Sequence, residues 1–189
     1  MATMDASQVG IGAADVTGAI FVAPKGTTLP TDATTTLGGS FTLLGFTSDA
    51  GVTIAETLNK NDIRAWEGRT IVISPVTEYT ETVSFTPIQC NADVAKLTWG
   101  TDAVTVDASG NLAVKHHGKT MEPVCIVIET TPRDNIIKRY CGTFQLTQRG
   151  EHVMDGTQVE GRQHTFTSIA DSNGVTLFEY TAYVSGATS

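Results

Sequence analysis

Positive charge is what this sequence has little of: 12 Lys and Arg stand against 20 Asp and Glu, a formal net charge of −8 over 189 residues. Gripping a phosphate backbone depends on basic side chains displacing counterions, so an acidic chain with no basic run is poorly equipped to hold nucleic acid. Arginines interleaved with aromatics, the pattern of single-strand binders, are missing too. Acidity is still useful where nucleic acid must pass close by without sticking. Cysteine is also scarce. Cys90, Cys125 and Cys141 form an odd set with no CxxC spacing, which excludes the common metal and redox motifs. Cys125 in "VCIVI" and Cys141 in "RYCGTF" read as small hydrophobes of strands, and all three as reduced structural thiols of a cytosolic product. The longest apolar run, "VCIVI", is far too short to span a bilayer, and "MATMDASQVG" has neither the basic nor the apolar region of a secretory signal.

Catalytic constellations are equally thin. The four histidines are His116, His117, His152 and His164, and "KHHGK" reads as a solvated strand end because no His or Cys lies at zinc spacing from it. Glu78 and Glu81 are three apart on one strand, which puts them on opposite faces and spoils them as an acid/base pair. Aspartates are scattered with no calcium-loop order. "GIGAAD" (10–15) lacks the third glycine and the preceding strand of a dinucleotide fingerprint, and no P-loop is present. The expectation is a protein that is not an enzyme and carries no metal or cofactor.

What is there is strand. With 40% apolar and 17% charged residues the composition is globular, and the length suits one domain, 1–189. Abundant Thr and Val favour a pleated surface. Residues 1–19 read as an N-terminal arm and 184–189 as a C-terminal one. "AIFVAP" (19–24) and "SFTLLGFT" (40–47) are strands on either side of a long turn-rich loop. "RTIVISPVTEYTETVSFTPI" (69–88) is a long β region bent near Pro75. Its second half sends Tyr79, Glu81, Val83 and Phe85 one way and Thr80, Thr82, Ser84 and Thr86 the other, so one face is wholly hydroxylated and meets water or a polar partner.

"CNADVAKLTWG" (90–100) predicts one helix over 91–99, capped by Asn91, with Asp93 in its first turn and Gly100 as an αL stop. Hairpins follow at 103–115, at 122–131 with 136–148, and across Asp171–Gly174. The fold class is mainly β, a sandwich or barrel of roughly eight to ten strands with one short flanking helix.

The stretch from Ser48 to Thr70 is the anomaly. Unstructured loops this long are uncommon in compact domains. This one holds Val52, Ile54, Leu58, Ile63 and, in "DIRAWEG", Trp66, so it has apolar side chains to bury. "VTIAETL" alternates well enough for a strand pair or hairpin. Trp66 either caps the edge of its own core or packs on another molecule.

Taken in order, "GAIFVAPKGTTLPTDATTTLGGSFTLLGFTSDAGVTI" (18–54), "DIRAWEGRTIVISPVTEYTETVSFTPIQCNADVAKLTWG" (62–100) and the C-terminal hairpins resemble the major tail tube proteins of long, non-contractile-tailed bacteriophages. The resemblance implies copies joined in six-membered rings that stack into a tube, with one sheet from each lining the channel. It implies a long inter-ring loop, here 48–69, with Asp49, Val52, Ile54, Leu58, Ile63, Arg64, Trp66, Glu67 and Arg69 as contact candidates. Acids on strands, Glu78, Glu81, Glu129 and Glu179, become candidates for a lumen that repels phosphate.

Implied partners are further copies of the chain, a tape measure protein, a tail terminator and distal tail or baseplate proteins. Double-stranded DNA passes through without specific binding. The location implied is the virion tail, assembled in the host bacterial cytoplasm. Unpaired sheet edges used between subunits, and head-to-tail stacking that never closes, fit a filament on physical grounds. The alternatives are the inner tube of a contractile tail or secretion machine, which shares the fold, and a β-sandwich module that binds carbohydrate. The last would show aromatics on an exposed face, whereas most here fall on inward alternations.

Overall fold

β-branched residues alternate with apolar ones along most of the chain, and strands are what they build. The computed structural model describes residues 12–14, 18–133, 136–157 and 159–183. The terminal arm at 184–189 and most of that at 1–19 lie outside the described residues. Twelve strands and one helix follow in order: β1 (Ile20–Pro24), β2 (Thr42–Leu43), β3 (Thr47–Lys60), β4 (Ile63–Arg64), β5 (Ile71–Ile73), β6 (Val76–Pro87), α1 (Ala92–Trp99), β7 (Val104–Val106), β8 (Leu112–Val114), β9 (Val124–Arg133), β10 (Ile136–His152), β11 (Arg162–Ile169) and β12 (Phe178–Tyr183).

Eight of these strands form one antiparallel sheet in the order β2-β1-β9-β10-β11-β6-β3, with β12 also on β10; β4-β5 and β7-β8 are separate pairs. The two outer strands, β2 and β3, are the ends of a single segment. Leu44 N–H donates to Ile20 C=O beside β1, and Ile88 N–H donates to Phe46 C=O at the far end of β6. Residues 44–46 therefore bridge both edges, which at 3.8 Å per residue lie within about 15 Å of each other there. The sheet is curled nearly into a barrel and tied at that end.

Inside the curl, Ile20, Val83, Phe85, Ile126, Ile128, Phe144 and Phe166 are buried, and Leu97 of α1 joins the same cluster. Phe85 and Phe166 stack with centroids 5.3 Å apart. Alternation fixes the other face. Cys125 and Cys141 lie beneath the 25–37 loop, with their thiols against the carbonyls of Thr27 and Pro30. Burial pushes the Cys141 thiol up to about 11, so it stays protonated and unreactive. Buried Arg139 pins this loop, donating to the carbonyls of Asp32 and Thr35 while pairing with Glu129 at 2.6 Å. Cys90 is exposed.

The helix begins as the sequence predicts, Asn91 Oδ1 accepting from Val94 N–H at 2.7 Å. It does not end on an αL residue, because Gly100 has φ 90 and ψ 156 and turns the chain straight into extended structure. The expected loop at 48–69 is instead mostly strand. Among the described residues, the expected pairing of 164–170 with 175–184 does not form, although the Asp171–Gly174 turn does. β12 pairs with β10 over Ile136–Cys141, whereas β11 takes Thr143–His152 on the same side of it. β10 is 17 residues long. Its first half would be left with an open ladder, and β12 fills it rather than returning along β11. Gly142 marks the handover, since a Cβ there would stand 2.9 Å from the carbonyl of Thr176.

Candidate functional site

β3 and β6 are long strands that outrun the sheet. They pair from Val52↔Phe85 out to Lys60↔Val76, but β11 supports β6 only at Thr82–Phe85. Beyond that the two continue as a bare ribbon, extended by β4 and β5. At about 3.3 Å per residue the arm reaches on the order of 30 Å past the body. Its tip turns at Trp66–Arg69, closed by Ala65 N–H to Thr70 C=O at 2.8 Å. Gly68 takes φ 66 and Arg69 φ 55, Arg69 being the one non-glycine with positive φ among the described residues. Both positions adopt the left-handed region that a tight antiparallel turn needs.

Polar cross-links stiffen the arm. Asn59 donates to Glu78 at 2.8 Å, Ser74 to Asp62 at 2.7 Å, and Arg64 to the Arg69 carbonyl at 3.2 Å while pairing with Asp62 at 3.7 Å. All are exposed, and such pairs are worth under about 1 kcal/mol each. Many of the arm's apolar side chains are exposed. Trp66 is 95% exposed at the tip, so it does not cap this chain's core. Leu58, Ile63, Ile71, Val72, Ile73, Val76 and Tyr79 are exposed with it. A two-stranded ribbon is marginal on its own in water.

Of the predicted contact residues, Leu58, Ile63, Arg64, Trp66, Glu67 and Arg69 lie on this arm and are exposed. Asp49 is exposed at the body end of β3, in the irregular stretch between Thr47 and Val52; Val52 and Ile54 are half-buried against the core. The return strand's Ile71, Val72, Ile73 and Val76 are exposed as well, although a run such as "TIVI" reads as core from sequence.

An open cleft of about 980 Å³ lies beside the root of the arm, with Val52 and Ile54 on one wall, Ile136 and Tyr140 on the other and Phe46 at its lip. The four predicted acids do not share a surface. Glu78 is on the arm; Glu179 is exposed and bonded to Lys138 and Tyr140; Glu129 is tied to Arg139 under the 25–37 loop. Glu81 is buried and accepts from Thr176, because it follows Val83 and Phe85 onto the core face, which corrects its placement as an acid facing an aqueous lumen.

The histidines also gather where the sequence did not place them. Thr98 spends its hydroxyl proton on the Val94 carbonyl at 2.6 Å, so its Oγ1 accepts from His164 Nε2 at 2.8 Å. Burial lowers the His164 pKa to about 4. His116, read as part of a solvated strand end, lies flat on Trp99 with centroids 3.9 Å apart, and His117 meets the same ring edge-on. Among the described residues, no group of three His, Cys, Asp or Glu is placed to hold a metal.

A family model described as phage tail tube protein matches residues 2–182. Among solved structures, a chain from the tail of an empty gene transfer agent particle, determined with C6 symmetry, aligns with 9% identity and a TM-score of 0.44, covering 97% of this chain and 100% of that one. A chain from the virion of a native gene transfer agent particle aligns with 10% identity and a TM-score of 0.41, covering 88% of this chain and 95% of that one. No curated protein sequence matches significantly.

Proposed function

Because the chain belongs to the phage tail tube protein family and is a structural subunit of a tail tube, we propose that it assembles as stacked six-membered rings in which each arm lies across a copy in the adjoining ring. The observation that carries this is the arm, an apolar ribbon ending in a 95% exposed Trp66 with no support from its own chain. Burying one large apolar side chain contributes about 1.5–3 kcal/mol, so a few seated together can offset the ordering of a ribbon that is marginal alone. A heterologous contact of this kind repeats without closing along the tube axis.

The tube is that of a long, non-contractile tail. Its channel is threaded by the tape measure protein and then by double-stranded DNA, and its ends are met by terminator and distal tail proteins. Glu78 and Glu179 remain the acids available to such a lumen. An acidic, unadhesive wall suits a polyanion in transit.

Trp66→Ala is the test. Purified wild-type protein should form tubes in negative stain. The variant should keep the wild-type melting temperature within about 1 °C yet stay as protomers or rings. Tubes of normal length from the variant, or loss of its folded state, would remove the arm from the contact.

A further inference from the structure

At the end of α1, Trp99 is crowded by cations as well as by the two histidines. The guanidinium carbon of Arg149 lies 4.5 Å from the indole centroid and that of Arg162 lies 5.5 Å from it. Arg149 Nε also donates to the Thr98 carbonyl at 2.9 Å. Other buried or half-buried cations are matched with acids: Arg139 with Glu129 at 2.6 Å, Lys138 with Glu179 at 3.0 Å, Lys96 with Asp93 at 3.8 Å. Among the described residues neither Arg149 nor Arg162 has a carboxylate at ion-pairing distance. The nearby acid, Glu160, is taken by His152 at 2.7 Å. Burial, and then the charge of Arg162, lower the pKa of Arg149, so the two guanidiniums oppose each other. A chain with net charge −8 thus leaves two adjacent, half-buried cations unmatched among the described residues.

We propose that Arg149 and Arg162, laid on Trp99, form an anchor for a carboxylate carried by a second copy of this chain. Arginine and tryptophan are the residues most enriched where interfaces concentrate their energy. A guanidinium takes a carboxylate through two parallel hydrogen bonds and keeps its stacking on the indole while doing so. Charge complementarity selects the partner. Every copy brings a surplus of acids, and on the arm Glu56 and Glu67 are exposed without an ion pair among the described residues. The inference rests on the self-assembly reading above and adds an anchor within it that is distinct from the apolar arm.

Arg162 is the position to change, because Arg149 also braces the helix. Arg162→Gln should leave the protomer's melting temperature unchanged and raise the critical concentration for tube formation about tenfold. Arg162→Lys tubes, made from a mixture of light and heavy isotope-labelled protein and treated with a zero-length carbodiimide, should yield a Lys–carboxylate cross-link joining a light chain to a heavy one. Equal assembly of wild type and Arg162→Gln, or cross-links found only within one chain to Glu160 or Glu151, overturns the anchor. So does a variant that assembles normally but loses hold of added duplex DNA, which would make phosphate the anion. Wild-type protein that forms no tubes counts instead against the assembly reading beneath it.

Discussion

The body and the arm are made from the same two strands. β3 and β6 run through both, and their alternation does not change at the boundary: Val83 and Phe85 continue as Glu81 and Tyr79, and Val52 and Ile54 as Leu58. In the body that face meets β9, β10 and α1, and Val83 and Phe85 are fully buried. In the arm Leu58 and Tyr79 are exposed. A buried strand and an unpartnered one therefore carry the same pattern. What separates them is a second layer, which packs on the one and, among the described residues, leaves the other exposed.

Substitutions on each side of that boundary sharpen the contrast, and the largest effect belongs to the body. Phe85→Ala removes a ring stacked on Phe166 and should cost about 3–5 kcal/mol of protomer stability, read by denaturant unfolding. A loss below about 1 kcal/mol would mean the curled sheet is not packed as described.

The body should also weaken in acid where the arm does not. His164 is held neutral, with its pKa lowered to about 4 against 6.5 when unfolded. The unfolded chain takes up the proton first, so stability is full above about pH 6.5 and falls as the pH drops towards 4, by up to about 3 kcal/mol. Unfolding free energies of His164→Phe, measured between pH 7 and pH 4.5, should show a smaller decline than wild type. Equal declines would place the acid sensitivity elsewhere.

Leu58→Ala gives the smallest change in the protomer. An exposed leucine contributes under about 0.5 kcal/mol there. In assembled tubes the same substitution should lower the dissociation temperature, and an unaltered value would take Leu58 out of the contact.

Much of this was legible beforehand. Asn91 and Asp93 mark the helix start because capping is a local bond between neighbours in sequence, and the break at Pro75 follows from a missing N–H. The alternation of β6 put Val83 and Phe85 on one face and the hydroxyls on the other. The same alternation carried Glu81 inward, which its charge alone did not reveal. Turn chemistry at Asp171–Gly174 is local and formed; the pairing beyond it is not local and did not. It depended on β10 having an open edge, a property of another segment's length. The gathering of His116, His117, His152 and His164 around α1 is likewise invisible in spacing, since those residues come from three separate parts of the chain.

The sequence by itself determined the strands at 20–24, 76–87, 124–131 and 136–148, the helix and its cap, and the fact that Ser48–Thr70 held more apolar side chains than a loop should. Only the tertiary structure decided which strands adjoin, that this stretch is a bare ribbon, and that Trp66 lies outside its own core. The reason is physical. Periodicity and capping are settled between residues a few positions apart, whereas burial is settled by what lies across the sheet.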